Sequence, residues 1–351
     1  MSKPSRTSPT STRVRGGTST GGKRGCEITS RDGTSSTEGR RRTDVTLAEH
    51  AGKVDRDLGV LLSRFAGLVT RIRRELPIRR DPAASRNVYG EQQLELDVWM
   101  NDLFVEACRE SNLVAQVASE EMGEVKDLGR GRFSVVLDPL DGSSNVRSNN
   151  IFGTILGIFD RKKLPARGRD LFAAGYLIYG PATTLVYATR DGVHEFVQGG
   201  AGRPDEFFLI EEGLRLPPKG KLFGVGGHRD KWVPEVKAFV KELEQELLNL
   251  RYGGSFVGDF NQILHYGGFF GYPAQVDKRE GKYRLHFESN PIAFIAEAAG
   301  GAGTTGTERI LDVPATGIDQ TVPTYVGNRD LIERLRSRFE AIRRVPRRKG
   351  A

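Results

Sequence analysis

The stretch Asp138-Pro139-Leu140-Asp141-Gly142-Ser143-Ser144 follows directly on an apolar run from Phe133 to Leu137. The apolar run predicts a buried strand, so both carboxylates stand at its end, where a rigid scaffold can aim side chains into a cleft. Proline fixes the backbone between them, and glycine then frees the chain so that the two serines can offer N–H and hydroxyl donors. The stretch therefore predicts a strand end that holds a divalent cation beside a phosphate group.

Other carboxylates stand at similar places in the chain. Glu120 and Glu121 end a predicted strand over residues 113–119, and Glu288 ends another over residues 282–287. Mg²⁺ prefers oxygen ligands, and converging carboxylates without clusters of cysteine or histidine favour such a hard cation over zinc or iron. A solvated acidic turn is the alternative for Glu120-Glu121 alone, and the stretch 138–144 shifts the balance towards a metal site.

The predicted strand over residues 282–288 also suits a phosphate ester. Side chains alternate between the two faces of a strand, so Lys282, Arg284, His286 and Glu288 share one face. Two cations beside a metal-binding acid match the charge of a doubly anionic ester. The alternative is an amphipathic strand with a solvated polar face.

The charge distribution argues against nucleic acid as a partner. Of a total formal charge of +8 over 351 residues, residues 1–43 carry +7 and residues 338–351 carry +5, which leaves −4 on residues 44–337. A fold that grips phosphates of nucleic acid needs its basic patch on the folded body. No apolar run approaches the roughly 20 residues that span a bilayer, so no membrane partner is expected. Having only Cys26 and Cys108 fits a reducing compartment, and we expect a cytoplasmic location.

Composition and periodicity indicate two domains between two basic tails. Residues 1–45 lack apolar periodicity and predict a disordered basic tail, for which organelle import is a less favoured role. Pro217-Pro218 marks a boundary between domains over residues 46–216 and 217–337, and residues 338–351 form a second basic tail. Strands are expected over residues 113–119, 133–137, 151–159, 171–179, 184–188 and 282–287, and a loop over residues 79–89. Helices are expected over residues 58–76, 233–250 and 256–266. Further helices are expected to begin at about residue 90, at a cap formed by Asn290, and at about residue 330.

These motifs resemble those of class I fructose-1,6-bisphosphatases, which belong to the lithium-sensitive, Mg²⁺-dependent phosphatases. The stretch 138–144 alone marks that superfamily, inositol monophosphatases included. Glu288-Ser289-Asn290-Pro291 and Arg251-Tyr252-Gly253-Gly254-Ser255 mark the bisphosphatase branch, and the resemblance runs from about Thr46 to Leu335. It implies the α/β sugar-phosphatase fold, with alternating helix and mixed-sheet layers (αβαβα) in two subdomains, the first of allosteric type and carrying most metal ligands, the second binding substrate. Further marks are Tyr89-Gly90-Glu91-Gln92, Leu96-Asp97 and Ser119-Glu120-Glu121.

The resemblance also implies a role for each matching residue. The metal ligands are Glu120, Asp138, Asp141, Glu288, the Leu140 carbonyl, and Glu91 where the family usually has Asp. Asp97 and Glu121 form the carboxylate pair that activates the attacking water, while Gly142, Ser143, Ser144 and Arg284 hold the 1-phosphate. Tyr252, Tyr272, Lys282 and Arg251 hold the sugar and the 6-phosphate, with Arg251 reaching in from a neighbouring subunit.

The implied activity is Mg²⁺-dependent hydrolysis of the 1-phosphate of fructose 1,6-bisphosphate, in gluconeogenesis or the Calvin cycle. Two or more Mg²⁺ ions per subunit, Mn²⁺ as a substitute, and a homotetramer belong to the same expectation. The family's Asn-Glu-Gly-Tyr stretch at the distal phosphate reads Gly226-Gly227-His228-Arg229 here, with His228 or Arg229 as replacements. This departure leaves sedoheptulose 1,7-bisphosphate open as a second or principal substrate. A non-catalytic binding protein on the same fold is the remote alternative. Buried carboxylates destabilise a fold that binds no metal, so a protein that had lost catalysis would be expected to lose them first.

The family resemblance also leads to an expectation about regulation by AMP. The family's AMP site uses a Thr-Gly-Glu turn before a helix, and this chain has Asp55-Arg56-Asp57 there. Arg132 stands at the usual Lys position, and Phe133 replaces the usual Tyr. Because Asp55 would repel a nucleotide phosphate, we expect little inhibition by AMP.

Overall fold

Helices and strands alternate along the parts of the chain that the computed structural model describes, residues 44–86, 92–200 and 202–344. The α-helices are α1 Leu47–Val54, α2 Arg56–Gly67, α3 Val69–Glu75, α4 Glu95–Ser111, α5 Ser144–Ser148, α6 Pro234–Gln245, α7 Phe256–Tyr266, α8 Asn290–Ala298 and α9 Arg329–Arg344. The strands are β1 Pro82–Arg86, β2 Gln92–Leu94, β3 Val114–Ser119, β4 Lys126–Asp127, β5 Phe133–Asp141, β6 Gly153–Asp160, β7 Leu171–Tyr179, β8 Thr183–Thr189, β9 Gly192–Gln198, β10 Phe207–Glu212, β11 Leu222–Val225, β12 Asn249–Leu250, β13 Gly268–Tyr272, β14 Tyr283–Arg284, β15 Ala302–Thr304, β16 Thr321–Val322 and β17 Thr324–Gly327.

Two mixed sheets organise these elements. The larger has the strand order β10-β9-β8-β7-β6-β5-β3-β4, and only its β3–β5 pair is parallel. The smaller has the order β12-β11-β13-β17-β15, with β11 parallel to both of its neighbours. Strand β5 is buried on both faces, which explains why its residues up to Leu137 are mostly apolar and do not alternate with polar ones.

Three hydrophobic cores separate the layers. The first packs Leu62 of α2 and Met100 of α4 on one face of the larger sheet. The second packs α7 and α8 between the two sheets, and the third packs Phe239 of α6 and Leu335 of α9 on the outer face of the smaller sheet. Strand β13 joins two of these cores, because Phe269 and Phe270 point to opposite faces. The order helix, sheet, helix, sheet, helix confirms the predicted αβαβα fold.

The predicted bounds of helices and strands are most accurate where the apolar pattern is strong. Strand β7 and helix α7 have the predicted bounds. The predicted loop over residues 79–89 is wrong in part, because β1 pairs with β2 through Pro82 and Leu94. The helix predicted over 58–76 divides at Leu68, and the next helix begins at Glu95. Asn290 lies inside α8, whose cap is Ser289. The boundary at residues 216 and 217 stays a prediction.

Two further sequence expectations meet the structure differently. Of the tail predicted over residues 1–45, residues 1–43 lie outside the described residues, and the Val45 carbonyl accepts the Leu209 N–H at 2.9 Å. Helix α9 continues to Arg344, so it takes in the start of the region 338–351. None of the helices in the described ranges has the length and apolar character needed to cross a bilayer.

Candidate active site

The acidic residues meet at one edge of the larger sheet because β3 and β5 run in parallel. Ser119 lies opposite Leu137 in the register, and the Glu120 N–H donates to the Leu137 carbonyl at 3.1 Å. Glu120 therefore emerges beside Asp138, the next residue of β5. The pairing of β5 with β6 shifts register between Asp138 and Asp141, a bulge that turns the end of the strand.

Asp141 fastens this strand end to helix α7. Its carboxylate accepts the Ser255 hydroxyl at 2.6 Å and the N–H groups of Phe256 and Val257 at 3.1 and 2.8 Å. Gly142 follows with φ +79°, and a Cβ there would lie 2.6 Å from the Ser255 Cβ. Glycine is required at this position both for the backbone conformation and for the close approach of α7.

Glu288 lies beside the other carboxylates because of a backbone turn that the alternating pattern of the sequence did not predict. The strand predicted over residues 282–287 is wrong beyond Arg284, because residues Leu285–Ser289 form a turn of π-helix. This turn brings the Glu288 carboxylate back to accept the Arg284 N–H at 2.6 Å. His286 is fully buried and is not among the pocket-lining residues, whereas Lys282, Arg284 and Glu288 all line one pocket.

Three of these carboxylates form a compact oxygen cluster. Single oxygens of Glu120, Asp138 and Glu288 lie within 4.8 Å of one another, and the side chains of Asp138 and Glu288 are buried. Burial, followed by the neighbouring carboxylates, raises the pKa of Asp138 and of Glu288 well above their ordinary values. Burial also raises the pKa of Asp141, which its hydrogen bond to Ser255 partly offsets. An all-oxygen set of repelling acids fits a hard divalent cation.

The cluster opens into a polar cavity of about 280 Å³. The positive charges of Lys282 and Arg284 stand on the same wall, and the Arg284 Nε lies 3.8 Å from Glu120 Oε1. A larger cavity of about 400 Å³ beside Arg73 and Arg80 has no acidic residue among the described residues that line it, so it offers no comparable set of metal ligands. The residues that line the smaller cavity are Glu120, Glu121, Asp138, Leu140, Asp141, Gly142, Ser143, Ser144, Tyr252, Gly254, Tyr272, Lys282, Tyr283, Arg284 and Glu288.

Some predicted site residues lie away from this lining. Asp97 is buried at the start of α4, where its carboxylate accepts the Leu94 N–H at 2.5 Å. Arg251 is exposed and donates to Gln262 at 3.1 Å. His228 is exposed, and the neighbouring Arg229 pairs with Glu244 at 3.2 Å. Glu91 lies outside the described residues.

Sequence reasoning missed two supports of the loop that carries Tyr252. Asp259 accepts the N–H groups of Gly253 and Gly254 at 2.6 and 3.1 Å, and burial raises its pKa to about 6. Asn145 donates to the Gly253 carbonyl at 2.9 Å from the other side. An acid in the first turn of a helix is a recognisable signal, but only the tertiary contact shows that it holds a loop.

Tyr283 also lines the cavity, although strict alternation along the strand would place it on the face opposite Lys282 and Arg284. Its ring stacks on Phe256 of α7, with centroids 4.5 Å apart and planes 5° from parallel. This stack seats the short strand β14 against the helix that Asp141 caps.

The fold and the cavity together define a hydrolase of phosphate esters that works with divalent cations. Residues 53–209 match the family model described as "Fructose-1-6-bisphosphatase, N-terminal domain", and residues 216–340 match the one for the C-terminal domain. The chain belongs to the fructose-1,6-bisphosphatase family, whose members act in carbohydrate metabolism.

Individual relatives agree with the family models. A class 1 fructose-1,6-bisphosphatase of Halobacterium salinarum is 41% identical over 280 residues, which cover 79% of this chain and 96% of the relative. That of Methanocorpusculum labreanum is 39% identical over 304 residues, or 86% and 92% of the two chains. The crystal structure of Leishmania major fructose-1,6-bisphosphatase in holo form superposes with a TM-score of 0.79 at 31% identity, covering 85% of this chain and 99% of that one.

Proposed function

We propose that the chain hydrolyses the 1-phosphate of fructose 1,6-bisphosphate to give fructose 6-phosphate and phosphate. Family membership supports this activity. The observation that carries it is the carboxylate cluster of Glu120, Asp138 and Glu288, which opens into a cavity that also holds Lys282 and Arg284. Acidic side chains that bind cations, beside basic side chains that neutralise phosphate, suit a doubly charged ester.

The cofactor in this proposal is Mg²⁺, two or more ions per subunit, with Mn²⁺ as a substitute. Bound cations would neutralise charge on the phosphate and lower the pKa of the attacking water. The proposed ligands are all oxygen donors, as Mg²⁺ prefers: Glu120, Asp138, Asp141, Glu288, the Leu140 carbonyl and Glu91.

The remaining residues of the cavity, together with Asp97, would position the ester and accept a proton from the attacking water. Gly142, Ser143 and Ser144 would donate to the 1-phosphate, with Arg284 completing the charge neutralisation. Glu121 would accept the proton of the attacking water, and Asp97, held at the start of α4, would act with it as a carboxylate pair. Phosphoryl transfer depends on such positioning more than on covalent chemistry.

Tyr252, Tyr272 and Lys282 would hold the sugar and the distal phosphate. The Lys282 ammonium lies 5.5 Å from the centre of the Tyr272 ring. A Cβ at Gly226 would come within 2.5 Å of the Tyr272 ring and 2.8 Å of the Tyr252 hydroxyl, so a larger residue at this position would displace both tyrosines. The close approach at Gly226 therefore supports the two tyrosines, more than His228 or Arg229, as the distal contacts.

The substrate itself is tested by kcat/KM measured side by side with fructose 1,6-bisphosphate and sedoheptulose 1,7-bisphosphate at saturating Mg²⁺. We expect the fructose ester to be preferred. A preference of tenfold or more for the sedoheptulose ester would contradict the proposal, and no Mg²⁺-dependent release of phosphate from either would favour the non-catalytic alternative.

A homotetramer, in which Arg251 reaches into the cavity of a neighbouring subunit, completes the proposal. The exposed position of Arg251, outside its own cavity, is compatible with this role. Light scattering should give a mass about four times the 38.7 kDa of one chain. Cytoplasmic location, and gluconeogenesis or the Calvin cycle as the pathway, belong to the proposal as well.

Substitution of Gly142 by Ala is expected to lower kcat/KM at least tenfold. The new Cβ would push Ser255 away from Asp141, and an L residue at positive φ costs roughly 1–2 kcal/mol in addition. Gly129→Ala is the matched control, because Gly129 also has positive φ but open space around it. Full kcat/KM in Gly142→Ala would show that the strand end tolerates movement of α7.

AMP is expected to inhibit little at millimolar concentration. Arg132, the cation that a nucleotide phosphate would need, already pairs with Asp55 at 2.9 Å, Asp57 at 3.3 Å and Asp160 at 2.9 Å. A like charge near a phosphate costs on the order of 1–4 kcal/mol, and each 1.4 kcal/mol is about tenfold in affinity. The measurement is an AMP titration with substrate near KM and saturating Mg²⁺. Half-inhibition by tens of micromolar AMP would contradict this prediction.

A further inference from the structure

A second group of side chains that could bind a metal ion lies outside the acidic cavity. It is at the opposite edge of the larger sheet from β3 and β4. His50 of α1, His194 of β9 and Glu212 of β10 each offer one ligand atom within 4.8 Å of the others. The register pairs His194 with both Tyr187 of β8 and Glu212, so these three residues form one row across neighbouring strands. Helix α1 follows directly on Thr46, which bridges to Phe208 of β10.

His50 is oriented as a metal ligand usually is. Its Nδ1 lies 2.7 Å from the Tyr187 hydroxyl in a buried hydrogen bond, and its Nε2 faces Glu212. Ligating imidazoles are commonly held in this way through their second nitrogen. In the tautomer whose Nδ1–H donates to Tyr187, Nε2 carries the lone pair that a metal ion needs.

The spacing of the donor atoms fits a small tetrahedral ion. His50 Nε2 lies 3.4 Å from Glu212 Oε1, longer than the roughly 2.7–2.9 Å of a charge-assisted hydrogen bond. Two ligands bound at about 2.0–2.1 Å in tetrahedral geometry are about 3.3 Å apart. The rings of His50 and His194 have centroids 4.4 Å apart at 57°, a tilt that allows their nitrogens to converge.

His194 brings a third donor from the middle strand. The Gly213 N–H donates to its Nδ1 at 3.3 Å, a long hydrogen bond that a metal ion bound at this nitrogen would replace.

We propose that His50, His194 and Glu212 bind a Zn²⁺ ion that ties helix α1 to strands β9 and β10. Two imidazoles and one carboxylate form a donor set that suits Zn²⁺ and not Mg²⁺. Glu212 is exposed, so a water molecule has access to the fourth position. The acidic cavity, which is all oxygen, and this site would thus hold different cations.

Cobalt spectroscopy separates the two sites in the full chain. With Mg²⁺ in excess, one equivalent of Co²⁺ should give the intense visible bands of tetrahedral coordination, which six-coordinate Co²⁺ in an oxygen site does not produce. Zn²⁺ should bleach these bands and raise the melting temperature. Absence of the bands in the wild-type protein would overturn the proposal.

Substitutions then assign the bands to residues. His194→Gln should lose them and bind Zn²⁺ at least tenfold more weakly, and Tyr187→Phe, which removes only the orienting hydroxyl, should weaken Zn²⁺ roughly 10–100-fold. His265→Gln is the matched control, because His265 pairs with Glu195 of the same strand β9 but lies outside the cluster. His194 is only partly buried, so the His194→Gln variant is expected to fold. If the folded variant and the wild type had equal spectra and equal Zn²⁺ affinities, the proposal would be overturned.

Discussion

Substitution of Asp138 by Asn is expected to lower kcat about a thousandfold while the protein stays folded. Asp138 ends β5 and belongs to the cluster in which three carboxylate oxygens lie within 4.8 Å. Asn has nearly the same shape and keeps an acceptor for the Leu140 N–H, which now binds Asp138 at 2.9 Å. The substitution therefore removes one buried negative charge and little else, and the loss should appear in catalysis.

Thermal melting distinguishes this explanation from simple unfolding. Burial and neighbouring acids raise the pKa of Asp138, so its charged form is unfavourable without a cation. In a chelating buffer the Asp138→Asn variant should melt at or above the wild-type temperature, whereas Mg²⁺ should stabilise the wild type more. Asp102→Asn, at an exposed position of α4, is the control and should leave kcat unchanged. A variant at position 138 with more than about a tenth of wild-type kcat would contradict the assignment.

Substitution of Glu121 by Gln is expected to lower kcat roughly 10²–10⁴-fold with little change in KM. Glu121 lines the cavity next to the cluster, and its backbone is held by the Ser119 hydroxyl, which accepts the Glu121 N–H at 3.3 Å. Gln fills the same space but cannot take a proton from the attacking water. The acid limb of the pH profile of kcat should disappear together with the rate.

The control for this substitution is Glu124→Gln, an exposed acid three residues further along the chain. Asp97→Asn gives a second comparison, because the proposal treats Asp97 and Glu121 as a pair. If Glu121→Gln kept kcat within about threefold of the wild type, the proton would have to leave by another group.

The elements that the sequence alone could establish are those with strong local patterns. Strand β7 is a continuous apolar run, helix α7 has apolar residues at a period of 3.6, and each was predicted with its observed bounds. The acids at the ends of β3 and β5 were also within reach. Parallel strands share one edge for their carboxyl ends, so the convergence of Glu120 and Asp138 follows once the strands are recognised.

Contacts between distant segments were decided only by the tertiary structure. Strand β14 ends at Arg284, where its pairing with the two-residue strand β16 ends, and the Arg284 N–H donates to the Glu288 carboxylate of the following π turn. Alternation within the segment carries no record of a partner's length, so the π turn could not be predicted.

The same reason distinguishes the acidic cavity from the proposed zinc site. Glu120, Asp138 and Asp141 of the acidic cavity stand at strand ends, a local feature, and the sequence by itself determined this part of the cavity and the αβαβα fold around it. His50, His194 and Glu212 are far apart in the chain, and each alone is an ordinary residue of a helix or a strand. Only the register of β8, β9 and β10 and the docking of α1 bring them together, because strand pairing and packing depend on contacts that no local pattern encodes.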